Sequence, residues 1–256
     1  MNRAIIIGSG NVAEASAREL PRRGIEITAL TARNQHRGEY LASIAGTSFI
    51  PLGSPLPDAD ICIAAVSDNA ISEVMGRIET DALVVHVSGA RPLSCIPDRF
   101  TCRGVVYPLQ TFSAGREVDF GRTAFLVEGS DDDTQQALYD FCRRLSDNVR
   151  TADSEQRARV HLAGVLACNF TNALYGAAEE VLQSVGLPLQ TLRSLVAETA
   201  AKAFDAQKPF TVQTGPAARH DTQTLGRHRA IIDDPRLLDI YNILTDYIWQ
   251  KTSNKN

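Results

Sequence analysis

The run Gly8-Ser9-Gly10-Asn11-Val12-Ala13 has the spacing G-x-G-x-x-A, and it lies between an apolar run, Ala4–Gly8, and a helix-like segment, Asn11–Leu20. Its first glycine allows a tight turn, its second lets a pyrophosphate approach the backbone, and Ala13 permits close helix packing. The helix N-terminus adds N–H donors and the positive end of its dipole. Such a loop holds a dinucleotide, so Gly8, Ser9, Gly10, Asn11 and Val12 are expected to line the cofactor.

A second apolar run, Ile25–Leu30, completes a βαβ opening, with Pro21 expected to end or kink the helix near Leu20 and Gly24 to make the turn. At its end, where a carboxylate would hold a ribose 2′-OH, the chain reads Thr31-Ala32-Arg33-Asn34 with Arg37 close behind. An arginine in that place favours a 2′-phosphate, hence NADP, with Thr31, Arg33 and Asn34 as the contacts. The alternative is a solvated surface arginine.

Ligands of open α/β sheets lie beyond the carboxyl ends of the strands. Val66-Ser67-Asp68, Ser88 and Pro108 follow three further runs and should flank ribose and nicotinamide; Ser67, Asp68 and Ser88 could equally cap helices or turns. His86 lies inside its strand and reads as a satisfied core histidine.

The runs Ile61–Val66, Leu83–Val87, Gly104–Tyr107 and Ala124–Val127 continue the series, with a weaker strand at Phe49–Leu52 and helices at Asn69–Ile78 and Asp133–Arg144. This predicts an α/β fold: an N-terminal Rossmann-type, doubly wound parallel sheet over residues 1–150. Residues 151–256 predict an all-α domain. Ser154–Val185 reads as a buried spine helix opened by an Asp153–Gln156 capping pair, followed by helices Leu189–Phe204 and Pro235–Gln250 and a disordered tail, Thr252–Asn256.

On the spine, His161, Val165, Asn169 and Asn172 are spaced four, four and three, so they fall on one helix face. Three polar groups on an apolar helix either line a site or are core polar residues paired with backbone or a second subunit. Thr214–Arg229 (TGPAARHDTQTLGRHR) concentrates Arg219, His220 and Asp221 behind a rigid Gly215-Pro216 turn, where Arg219 could hold a carboxylate; the same charges would also suit a solvated turn.

Composition narrows the classes. The 256 residues are 44% hydrophobic and 22% charged, as in a globular protein with a sizeable core. Residues 1–150 hold 15 basic against 19 acidic side chains and residues 151–256 hold 11 against 11, so neither half is a basic platform for nucleic acid. No run is long and apolar enough for a membrane span, and a cytoplasmic protein is expected. Five scattered cysteines indicate neither a metal site nor a disulfide framework. The lysines are Lys202, Lys208, Lys251 and Lys255, which excludes a P-loop lysine.

With both halves read, the chain resembles Rossmann-like proteins with a C-terminal helical domain of unknown function, a family labelled NADP oxidoreductase or, by electronic transfer, deazaflavin-dependent. The likeness runs through IIIGSGNVA, AVSDNAI, HVSGA, YPLQTFS, ARVHLAGVLACNFTNALY and TGPAARHDTQTLGRH. More distantly the layout is similar to pyrroline-carboxylate reductases, ketopantoate reductases and β-hydroxyacid dehydrogenases, whose helical domain completes the site and often dimerises. In the latter two a lysine and an asparagine act on the substrate carbonyl; here His161 stands near the place of that lysine, with Asn169 and Asn172 beyond.

The resemblance implies the fold and the cofactor class; with the residues above, the expectation is an NADP(H)-dependent reductase or dehydrogenase of a small carbonyl or imine, and the apolar spine and final helix suggest a homodimer. His161 would donate the proton, Asn169 and Asn172 would orient the group that receives hydride, and Arg219 would hold a carboxylate. The rival expectation is a non-catalytic NADP-binding sensor or dimeric interaction module.

Overall fold

The computed structural model describes residues 1–253. In chain order it runs β1 (Arg3–Ile7), α1 (Asn11–Arg22), β2 (Glu26–Ala32), α2 (Gln35–Ala45), β3 (Phe49–Pro51), β4 (Ile61–Ala64), α3 (Ile71–Met75), β5 (Leu83–His86), β6 (Arg103–Leu109), β7 (Ala124–Gly129), α4 (Asp132–Arg143) and β8 (Val149–Thr151). The helices α5 (Ser154–Gly164), α6 (Thr171–Gln183), α7 (Arg193–Asp205), α8 (Thr222–Ala230) and α9 (Pro235–Thr252) follow.

The strands form one sheet in the order β3-β2-β1-β4-β5-β6-β7-β8. Its core follows from the two-residue repeat of a strand. In β1, Ala4 and Ile6 pack with Leu20 of α1, Leu41 of α2 and Leu138 of α4 on one face, while Ile5 and Ile7 pack with Val74 and Met75 of α3 on the other. Burying each isoleucine is worth about 1.5–3 kcal/mol, and covering both faces makes the sheet doubly wound, as the continuous apolar runs require.

All the strand pairs are parallel except β6–β7, which is antiparallel. The expected parallel sheet is thus found, with this one exception. The segment between β6 and β7 contains only a short 3₁₀ turn, Phe120–Arg122, and without a crossover helix the chain can only fold back beside itself. β8, α2 and α8 also lie outside the sequence-based expectations. Pro21 neither ends nor displaces α1 at Leu20; it sits in the last turn, and the helix continues to Arg22.

Two compact units divide the chain, Met1–Ala167 and the residues from Cys168 onward. In the first, α5 opens with the expected capping box between Asp153 and Gln156. The predicted spine helix runs on without a gap but takes a π turn at Val165–Phe170. Such a turn, with its i→i+5 pairing, interrupts the 3.6-residue repeat on which the one-face reading of His161, Asn169 and Asn172 rests.

The second unit's helices are capped by Asp221 for α8 and Asp234, with Pro235 at the first position, for α9. Yet among its described residues only Ala217, Leu225, Thr245 and Thr252 are buried. Leu174, Val181, Leu195, Phe204, Ile240 and Ile243 are exposed, as are Leu162 and Leu166 before them, so the spine is not buried in the single chain. Thr252 is no part of a disordered tail: it ends α9, buried, its hydroxyl donating to the Ile248 carbonyl at 2.8 Å. Residues 254–256 of that predicted tail lie outside the described residues.

Candidate functional site

The glycine loop leaves β1 through Gly8, which has φ +127° and donates its N–H to the Thr31 carbonyl at 2.8 Å. Gly10 is the N-cap of α1 and supplies no side-chain hydrogen bond to the helix. The helix therefore starts with amide donors that no capping side chain takes up. A Cβ built on Gly10 would meet no protein atom within 4 Å, so nothing inside the chain demands a glycine there.

In front of this loop lies a groove of about 710 Å³, lined by Gly8, Ser9, Gly10, Asn11, Val12, Arg33, Asn34, Val66 and Ser67 among the expected residues, and by Leu52, Val87 and Phe112 besides. Asn11 closes one side of it by donating its side-chain amide to the Phe112 carbonyl at 2.9 Å.

The residues after β2 divide their work. Thr31 is fully buried, and its part is the carbonyl that holds Gly8. Asn34 caps α2, its side-chain oxygen accepting from the Arg37 N–H at 3.0 Å. The Arg37 guanidinium is bound to buried Glu14, which also takes Arg18. Among the described residues Arg33 has only an exposed partner, Glu73, at 3.6 Å, and a pair so wet holds it weakly.

Beyond β4 and β5, Asp68 is exposed at the start of a 3₁₀ turn. Ser88 is buried, its hydroxyl accepting from the N–H groups of Ala90 and Arg91 at 3.2 and 3.0 Å, a turn cap. Pro108 is buried within β6 opposite Phe125. His86 is fully buried between the Pro92 carbonyl and the Ser88 N–H. Burial pushes its pKa down to about 4, so it is neutral at neutral pH, with Nδ1 accepting and Nε2 donating.

His161 of α5 meets Tyr107 of β6, a residue the sequence reading left in its strand: Tyr107 Oη is 3.2 Å from His161 Nδ1. Gly89 makes room for both, since a Cβ there would stand 2.5 Å from Tyr107 Cζ and 2.9 Å from His161 Nδ1. One turn earlier on α5, fully buried Arg157 pairs with Glu128 of β7 and donates to the carbonyls of Ser88 and Arg91. Ser154 also donates to Glu128 at 2.9 Å. A buried guanidinium needs acceptors on every side, and here they tie α5 to the loop carrying Ser88 and Gly89. An isolated arginine in a helix sequence gives no sign of this.

Asn169, Asn172 and Arg219 belong to the second unit and are exposed there. In that unit His220 has φ +58° and its ring lies 4.0 Å from that of Trp249. Asp221 caps α8, accepting from the Thr224 N–H and hydroxyl at 3.0 and 2.7 Å.

Residues 3–89 match the family described as NADP oxidoreductase, coenzyme F420-dependent, and residues 123–248 match the domain of unknown function DUF2520. Among solved structures, the chain is similar to the proposed NADP oxidoreductase BF3122 of Bacteroides fragilis, at 35% identity, 97% of this chain and 98% of that one, with TM-score 0.89. The fold is shared with 1-pyrroline-5-carboxylate reductase from the human pathogen Streptococcus pyogenes (11% identity, 97% and 98% covered, TM-score 0.64). It is shared too with the reductive aminase of Aspergillus terreus, solved with NADPH and ethyl-5-oxohexanoate (12%, 98% and 93% covered, TM-score 0.67). No curated protein matches the chain.

Proposed function

The chain belongs to the NADP oxidoreductase family with a DUF2520 domain, and from that premise we propose that it is an NADP(H)-dependent reductase or dehydrogenase of a small carbonyl or imine. The observation that carries the reading is the open side of Gly10 at the uncapped start of α1, facing a groove of about 710 Å³. A diphosphate fits there as an anion on free amides. Arg33, with its exposed partner, is the cation available to a 2′-phosphate, which favours NADP over NAD. The cofactor would supply or accept a hydride.

The chain's own residues do the rest. His161 donates the proton to the oxygen or nitrogen of the group whose carbon receives hydride, Asn169 and Asn172 orient that group, and Arg219 holds a substrate carboxylate where one is present. Residues 1–150 serve the cofactor and residues 151–256 serve substrate and assembly. The exposed apolar side chains of the second unit support a homodimer, because so large a bare apolar surface is unusual on a soluble monomer. The free cysteines suit the reducing cytoplasm.

Thermal melting with NADPH, NADH and no ligand tests the cofactor. At a hundred times its Kd a ligand adds about 2.7 kcal/mol, and at roughly 2–4 °C per kcal/mol the shift is easily read. NADPH alone should raise Tm strongly; no shift with either dinucleotide overturns the reading. Light scattering should give twice the 27.8 kDa chain mass.

A further inference from the structure

We propose that Tyr107 is a positioning residue for His161: its hydroxyl oxygen accepts the Nδ1 proton and leaves Nε2 as the atom that exchanges a proton with substrate. The inference rests on the reading of His161 as proton donor and adds which nitrogen acts and what holds it.

Geometry assigns Nδ1 to the tyrosine. The oxygen and nitrogen are 3.2 Å apart, and the rings meet edge to face with centroids 6.0 Å apart at 64°. Nε2 of His161 makes no hydrogen bond among the described residues. The other histidine of this region, His86, has both ring nitrogens engaged by backbone groups, so it has none to offer.

Three elements lock the pair. Tyr107 stands in β6, whose antiparallel register with β7 sets it opposite Leu126. His161 is carried by α5, one turn after Arg157 and its bonds to the Ser88 and Arg91 carbonyls. Between them Gly89 runs so close that even a methyl group would collide with both rings. Neither ring can swing toward that loop without moving backbone.

Chemistry gives the direction of the hydrogen bond. When the imidazolium donates, the Nε2–H bond breaks, a new O–H or N–H bond forms on the substrate, and the ring becomes neutral with its remaining proton on Nδ1. That proton needs an acceptor, and a hydroxyl oxygen provides one without adding charge. An oriented acceptor at Nδ1 is the general device for fixing which imidazole nitrogen is basic.

Nitrogen-15 NMR of the histidine rings reads the tautomer directly, on the full chain, above the pH range in which imidazole titrates. His161→Gln identifies the signals. The wild-type ring should be protonated at Nδ1, and Tyr107→Phe should move it toward Nε2–H while the His86 signals stay in place. A wild-type ring protonated at Nε2, or a tautomer unchanged in Tyr107→Phe, overturns the proposal, and the wild-type spectrum decides even where the variant fails to fold. NADPH oxidation with 2-methyl-1-pyrroline as probe separates the two layers. Turnover surviving in His161→Gln removes the proton-donor reading, whereas an altered tautomer with that turnover lost upholds both.

Discussion

The carbonyl oxygen of Ala65 lies 2.1 Å from where a Cβ would stand on Gly8. Ala65 is held there by its own N–H bond to the Ile7 carbonyl at 2.7 Å, so β4 presses against the turn that leaves β1. Two residues later Gly10 faces open groove. The two glycines of one motif thus meet different surroundings, the first the packed edge of the sheet and the second an open groove.

That division can be measured. Gly8→Ala adds both the clash and a left-handed φ, and should cost about 2 kcal/mol or more in urea unfolding. Gly10→Ala brings no contact within 4 Å and starts from φ −82°, so it should cost no more than about 1 kcal/mol, the loss of a favourable N-cap residue. Its NADPH affinity, by contrast, should fall about tenfold or more, equivalent to roughly 1.4 kcal/mol. Unchanged affinity in Gly10→Ala would take the diphosphate away from this loop.

Arg33 and Arg37 should separate in the same way. Arg33→Ala gives up one charge-assisted contact, on the order of 1.5–3 kcal/mol, and should erase most of the preference for NADPH over NADH with little change in Tm. Arg37→Ala strips a partner from Glu14, whose side chain is only 7% exposed, and should lower Tm while leaving the cofactor ratio alone. Dissociation constants for both dinucleotides, measured on both variants, check this.

Much of this arrangement is legible in the residues themselves. The glycine loop, the Arg33 corner, the core role of His86 and the capping box of α5 are local, and each rests on a spacing of a few residues. What escapes is non-local. Tyr107 and His161 are 54 residues apart and meet only because β6 and α5 are neighbours in space. Arg157 and Glu128 carry no local signal, being 29 residues apart in sequence, yet they pair under the Ser88 loop. The antiparallel turn of β7 depends on a helix that is missing from the sequence between strands, which is a weaker sign than one that is present. The exposed spine was read as buried because its composition is apolar, and apolar composition does not say which surface will cover it.

Arg157→Met should be among the most damaging single changes in the first unit. It leaves the Glu128 carboxylate, 15% exposed, without its cation and the carbonyls of Ser88 and Arg91 without their donor. Breaking a buried pair from one side costs about 3–5 kcal/mol. The double variant Arg157→Met with Glu128→Gln should recover part of that loss in urea unfolding. A single variant as stable as wild type would mean that the clamp contributes nothing.

His86 should make stability depend on mildly acidic pH. Its folded pKa, near 4, lies below the roughly 6.5 of an unfolded imidazole, because burial disfavours the charged ring. Above pH 6.5 the ring is neutral in both states, and the stability it permits is fully present. As the pH falls from 6.5 toward 4, the unfolded chain takes up a proton that the folded chain refuses, so stability declines with a slope approaching one proton. Across the whole window this amounts to about 3 kcal/mol. Below pH 4 both states are protonated and this contribution stops changing. In His86→Asn the amide can still bridge backbone donor and acceptor but does not titrate, so its Tm should be flatter between pH 6.5 and 4 than that of wild type. Parallel Tm curves for the two proteins over that range would show that the ring is not held neutral by burial.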